Sequence, residues 1–218
     1  MADFAHFLPR LLANEGGYCH TPGDAGQETW RGVARAYHPQ WPGWPLIDAA
    51  KRRLGLRSPV PPAGYPALNR ELGADASLTY WVKVFYKTEF WDVLRLDALD
   101  NQSVAEQLAD HGVNAGPARP GRMLQYALRQ LGYTALAEDG ALGPATLQAA
   151  NDCPPRLLYN ALVALRQVFY RYRAAQSVPP AGSPVLGLLA RLRVRPDASQ
   201  RVFLASWLAR VAALPFAG

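Results

Sequence analysis

Apolar residues recur at helical spacing through most of the chain. Phe4, Phe7, Leu8, Leu11 and Leu12 share one face of a 3.6-residue repeat and predict an opening amphipathic helix. Pro9 interrupts that face. It has no amide to donate to the carbonyl of Ala5, so a kink, or a helix that starts near Pro9, is expected. Gly16 and Gly17 end the segment, because glycine accepts the left-handed conformation of a helix stop. Glu15 then belongs to the last turn. Beyond it, Gly23-Asp24-Ala25-Gly26 reads as a tight turn inside a short, irregular hairpin. A short helix from Val33 to Tyr37 is expected next, followed by an aromatic and proline loop at 38–45. A helix then runs from Pro45 to about residue 54, with Leu46, Ile47, Ala50 and Leu54 on one face, and 58–64 is a loop bordering the cleft.

The second half is more regular. Leu78, Trp81, Val82, Phe85 and Phe90 stripe one long helix over 76–90. Ser103 and Glu106 have the spacing of a capping box, so a helix to about Val113 starts at Ser103. Further helices are expected at 119–131, from Pro144, from Pro155 through Tyr172, and at 195–211, with a connection at 176–184. No strand-rich or repetitive region appears. The pattern predicts a mainly α fold with a small β-hairpin near the N-terminus. Residues 1–75 carry the Glu15 helix and hairpin. Residues 76–218 form a helical second lobe, packed as one catalytic unit with the first and supplying the opposite wall of a cleft.

Composition narrows the function. Half of the residues are hydrophobic (50% of 218), enough for a substantial core. Lys and Arg total 23 against 17 Asp and Glu, a net charge of +6 that suits an anionic partner. Bacterial cell wall and nucleic acid are the candidates. The basic residues are scattered and no nucleic-acid-binding signature is present, so nucleic acid is set aside. Cys19 and Cys153 are too few for a disulfide scaffold and too far apart for a metal site; whether they pair is left open. Met-Ala-Asp-Phe-Ala-His-Phe lacks the basic start and apolar run of a signal peptide, and no apolar stretch is long enough to span a bilayer. The expectation is a monomer made in the cytoplasm without a signal peptide, with no stable membrane insertion.

The chemistry concentrates between Glu15 and Val33. Glycosidic cleavage needs a proton donor on one side of the sugar and a carboxylate opposite, held on a rigid frame. Glu15 lies at the negative end of a helix dipole, and the hairpin turn swings Asp24 back toward it. Both features favour the protonated form that a general acid needs. Thr29 is positioned to aim its hydroxyl at a water between the two carboxylates. Singly, these are a surface glutamate, an Asx turn and a strand threonine; the spacing is what joins them. Trp41 and Trp44 either stack on sugar rings or cap the core.

Asp24 lies nine positions after Glu15, and Thr29 five after Asp24. This resembles the Glu–Asp–Thr arrangement of phage-type lysozymes with a slightly shorter last gap. The fuller pattern, E-G-G-Y followed by D-x-G-x-x-T-x-x-G-V, resembles the glycoside hydrolase family 108 N-acetylmuramidases, except that Gln27 stands where that family usually has a second glycine. Tyr86 to Asp92, Val104-Ala105 with Asp110 to Pro117, and Phe203 to Val211 are similar to further family signatures. The run 124–150 also resembles small peptidoglycan-binding modules, and is read here as part of the catalytic fold. The resemblance implies a lysozyme-like fold and hydrolysis of the β-1,4 bond between N-acetylmuramic acid and N-acetylglucosamine. It makes Glu15, Asp24 and Thr29 catalytic, with inversion by analogy to phage-type lysozymes, and Tyr18, Trp41 and Asn114 substrate contacts. For Asn114 the alternative is a helix C-cap. The resemblance calls for no metal or cofactor. Peptidoglycan is the partner, joined by an immunity protein if the chain is an antibacterial effector of a type VI or other secretion system rather than a phage endolysin. Action is expected in the periplasm or cell wall after export or holin-type release.

Overall fold

Most helices begin where the sequence supplies a proline or a capping side chain. The computed structural model describes residues 1–20 and 26–217. Among them are ten α-helices and one antiparallel sheet of order β1-β2-β3. The chain divides into two compact units, one formed by Ala5–Thr88 and the other by Met1–Phe4 with Glu89–Gly218. Among the described residues no helix is long and apolar enough to cross a membrane.

In the first unit, α1 (Phe4–Asn14) continues through Pro9. Phe7 and Leu11 are buried as the repeat predicts. β1 (Tyr18–His20) pairs with β2 (Glu28–Trp30), placing Tyr18 opposite Trp30 and Cys19 opposite Thr29. β2 then pairs with β3 (Val33–Ala34). The connection is only Arg31 and Gly32, with φ of 43° and 78°. Two consecutive positive φ values are the pattern of a type I′ hairpin turn. This turn is why Val33 starts a strand instead of the expected helix.

Three helices complete the unit: α2 (Trp44–Arg53), α3 (Tyr65–Ala74) and α4 (Ala76–Tyr86). Asp75 caps α4, its Oδ1 accepting from the Leu78 amide at 2.9 Å. The helix expected over 76–90 stops at Tyr86, and a π-helical turn follows at Lys87–Trp91. Trp41 is only 7% exposed. Its indole N–H donates to the Trp81 carbonyl, and its ring meets Trp44 edge-on at 5.1 Å, so both tryptophans cap the core.

A buried ionic cluster ties β2 to α2. Glu28 accepts from Lys51 Nζ at 2.6 Å and from the Tyr18 hydroxyl at 2.8 Å, and also pairs with Arg35. Lys51 and Arg35 both reach Asp48. Burial, then the hydrogen bond to Glu28, pushes the Tyr18 phenol far above its ordinary range. Burial also pushes Asp48 up, but its bonds to Arg35 and Lys51 outweigh that and hold the carboxyl below its usual value.

The second unit is all helical: α5 (Gln102–Ala115), α6 (Pro120–Gln130), α7 (Pro144–Asp152), α8 (Pro155–Arg173), α9 (Pro184–Arg191) and α10 (Arg201–Ala212). Proline opens α6, α7, α8 and α9, where its missing N–H costs nothing. α9 lies in a stretch where no helix was expected. α5 is the central helix, packed against α6 and α8. Its cap is not Ser103. Asn101 Oδ1 accepts from the Val104 amide at 3.1 Å, while the Ser103 hydroxyl is bonded to the backbone of Ala217. Neither Cys19, which is exposed, nor the buried Cys153 is in a disulfide.

Inside this unit Asp110 pairs with Arg166 and Arg210, linking α5 to α8 and α10. The next residue of α5, His111, is 1% exposed and approaches the Tyr170 hydroxyl at 3.3 Å. Burial, then the charges of Arg166 and Arg119, holds the His111 imidazole well below its ordinary range. The unfolded chain takes up this proton near pH 6.5, and the folded chain only at lower pH. The stabilisation is therefore complete above about pH 6.5 and is lost as pH falls toward the folded value, at about 1.4 kcal/mol per pH unit. Thermal melts between pH 7 and 5 are expected to show a falling melting temperature, with a shallower fall for His111→Gln.

Candidate active site

Glu15 follows the last residue of α1 and sits in the bend before Gly16 and Gly17, one position beyond the expected last turn. The β2–β3 turn closes on it. A Cβ added to Gly32 would lie 2.6 Å from Glu15 Oε2 and 2.2 Å from the Tyr86 hydroxyl oxygen. Only a hydrogen fits there, and the positive φ of Gly32 makes the same demand. Tyr86 donates from α4 to the Arg31 carbonyl at 2.8 Å, which holds the turn in place. On the other side α3 presents Asn69. Its Oδ1 accepts from the Tyr18 amide at 2.7 Å, and a Cβ on Gly17 would meet that oxygen at 2.3 Å.

These approaches leave a cleft of about 330 Å³, lined by Leu12, Glu15, Trp30, Arg31 and Asn69 with Gly16 and Gly17. The Arg31 guanidinium lies over the Trp30 ring, 5.2 Å from its centroid. Asn69 keeps its amide NH₂ for a ligand, since it meets no acceptor among the described residues. A carboxyl group, an amide donor, a cation and an aromatic wall around one cavity can bind a polar ring and deliver a proton to it. A larger cavity, of about 440 Å³, lies in the other unit and is lined by no carboxylate.

The other candidate residues fall in different places. Asp24 lies outside the described residues. Gln27, the departure from the family glycine, has φ 54°, where glycine would be unstrained. Thr29 is half-buried in the middle of β2, on the face opposite Glu28 and Trp30, and does not line the cleft. Tyr18 is a core residue, 3% exposed, that serves the Glu28 cluster. Asn114 belongs to the other unit, where its amide donates to the Tyr170 hydroxyl at 3.0 Å. Sequence reasoning missed Trp30, Arg31 and Asn69. The signal for α3 was present in Tyr65, Leu68 and Leu72 at helical spacing, but a proline-rich loop precedes it.

Gly32→Ala is expected to reduce glycan hydrolysis strongly, by about 100-fold if Glu15 is displaced by an ångström. It should also lower the melting temperature, since a left-handed alanine costs about 1–2 kcal/mol. Hydrolysis rates and thermal melts of the purified variant measure both.

Three comparisons bear on this geometry. The model of the Glycosyl hydrolase 108 family matches residues 8–116, a span that includes Glu15, the three strands and α2 to α4. A second model, described as a Predicted Peptidoglycan domain, matches residues 119–212, a span that takes in the run at 124–150. No curated protein matches the sequence. A solved structure described as Structure of Brucella abortus SagA shares the fold, with a TM-score of 0.50 and 20% identity over 97% of this chain and 94% of that one. With the cleft and its carboxylate inside a match to half of its length, the chain belongs to the glycosyl hydrolase 108 family and is a glycoside hydrolase acting on peptidoglycan.

Proposed function

We propose that the chain is an N-acetylmuramidase, cleaving the β-1,4 bond between N-acetylmuramic acid and N-acetylglucosamine, with Glu15 as the general acid. The observation that supports this is the Glu15 carboxylate, held against Gly32 in a cleft walled by Trp30, Arg31 and Asn69. Glu15 protonates the leaving glycosidic oxygen. Asp24 supplies the second carboxylate, either activating a water or stabilising the oxocarbenium-like charge. Asn69 and Arg31 bind the polar substituents of the sugar, and the buried Trp30 backs the Arg31 guanidinium at the cleft wall. The same activity serves an endolysin or a secreted antibacterial effector; in the second case an immunity protein would occupy the Glu15 cleft.

Glu15→Gln is expected to cut the lysis of purified sacculi by about 10²–10⁴-fold with an unchanged melting temperature. Asp24→Asn should do the same, and Thr29→Ala should cost less. Mass spectrometry of the digest reads the bond directly. Reducing N-acetylmuramic acid ends are the expected product, whereas 1,6-anhydro ends would identify a lytic transglycosylase and overturn the hydrolytic assignment.

A further inference from the structure

Four arginines converge on a cavity that the glycosidase chemistry does not use. It lies in the all-helical unit, where the turn entering α6 meets the end of α9. Arg119, Arg122, Arg191 and Arg193 line its volume of about 440 Å³ together with Gly116 and Leu192, and neither an acidic nor an aromatic side chain is among its lining residues. The size is that of a small-ligand site.

Two of the four guanidinium groups are held in place by backbone oxygens. Arg119 donates to the carbonyls of Leu192 (3.0 Å) and Ala115, and Arg122 donates to the carbonyl of Glu138 at 2.6 Å. Of the four, only Arg191 is in a salt bridge with a carboxylate among the described residues. That carboxylate is Glu138, which Arg129 shares. The hydrogen bond from Gln125 holds the exposed Asp139 below its usual range, and the charge of Arg122 also helps. Arg193 is exposed at a left-handed position (φ 52°) just past α9. Burial, then the charge of nearby Arg173, holds the Arg119 guanidinium below its ordinary range, so positive charge is crowded here. The dipole of α6 adds to it at its N-terminal end. Such a site awaits an anion, and planar carboxylates match the guanidinium fork.

Peptidoglycan chemistry identifies which anion. N-acetylglucosamine is uncharged, and the lactyl carboxyl of muramic acid is consumed in the amide to the peptide. The free carboxylates therefore belong to the stem peptides. A sugar-binding surface would also offer an aromatic platform, and this lining has none. We propose that the arginine cavity binds the carboxylates of peptidoglycan stem peptides, so that the protein recognises the wall through its peptide as well as its glycan. This rests on peptidoglycan as the partner, and not on which glycosidic bond is cut.

The test uses the full chain carrying Glu15→Gln, so that no glycan is consumed. Three probes are titrated calorimetrically: stem peptide released from sacculi by an amidase, the peptide-free glycan strands from the same digest, and inorganic phosphate. The stem peptide is expected to bind, more weakly as salt is raised. Adding Arg193→Glu should weaken that binding at least about tenfold, and Arg122→Glu similarly, with glycan affinity unchanged. Melting temperatures establish that both variants fold, and Arg193 is the cleaner position because its guanidinium holds no described protein group. Absence of stem-peptide binding, indifference to charge reversal at Arg193, or binding of phosphate alone would each overturn the proposal. The peptide probe contains no glycosidic bond, so its failure leaves the muramidase reading standing. Failure of Glu15→Gln to stop lysis leaves this one standing.

Discussion

The first unit is organised around a place where no side chain fits. Gly32 has a hydrogen where any other residue would put carbon, and the carboxylate of Glu15 and the hydroxyl of Tyr86 occupy that space. The consequences spread outward. The turn must take two positive φ values, so β2 and β3 form a tight hairpin. The Arg31 carbonyl is turned to Tyr86, which fixes the hairpin tip against α4. Gly17 makes the same kind of approach to Asn69 on α3. A carboxylate just past a helix end would normally be a solvated surface group. Here it is held by the approach of a hairpin, and that placement is what the proposed proton delivery requires.

Hydrophobic packing does not by itself fix a three-residue strand. The register of β2 is set by charge. Glu28 points inward to Lys51, Arg35 and Tyr18. A slip of one residue would bury Thr29 instead and leave Lys51, 5% exposed, without its main partner. Stranding one member of a buried pair costs about 3–5 kcal/mol, whereas the intact cluster adds little over an apolar equivalent. The cluster therefore buys register, and with it the placing of Trp30 and Arg31 in the cleft. Asp110 has the corresponding part in the helical unit, where two arginines from α8 and α10 meet it on α5.

What could be read from the sequence was local. The helices α1, α5, α6 and α8 announce themselves by apolar spacing, and Glu15 by its place before two glycines. Partners distant in sequence changed the rest. The Ser103 to Glu106 spacing is a sound capping signal, yet Ala217 takes the Ser103 hydroxyl and Asn101 starts the helix two residues earlier. Trp41 and Trp44 admitted both a sugar-stacking and a core role, and the Trp81 carbonyl decides for the core. Asn69 lay in a helix hidden behind prolines, and nothing in its own neighbourhood joins it to Gly17 and Tyr18, about 50 residues upstream.

The basic excess shows the same limit more sharply. Along the chain the arginines are scattered, which gave reason to expect an anionic partner and no reason to locate it. The fold brings Arg119 to Leu192, 73 positions away, and so assembles an arginine-lined cavity that no local pattern encodes. The chemistry also favours where that charge has gone. A general acid must keep its proton until the leaving oxygen takes it, and clustered guanidinium groups beside it would stabilise the anion instead. On the proposed reading, a chain that both protonates a glycan and holds an acidic polymer does best to put the two tasks in different parts of the fold. Here a single arginine lines the carboxylate cleft, and four gather in the other unit.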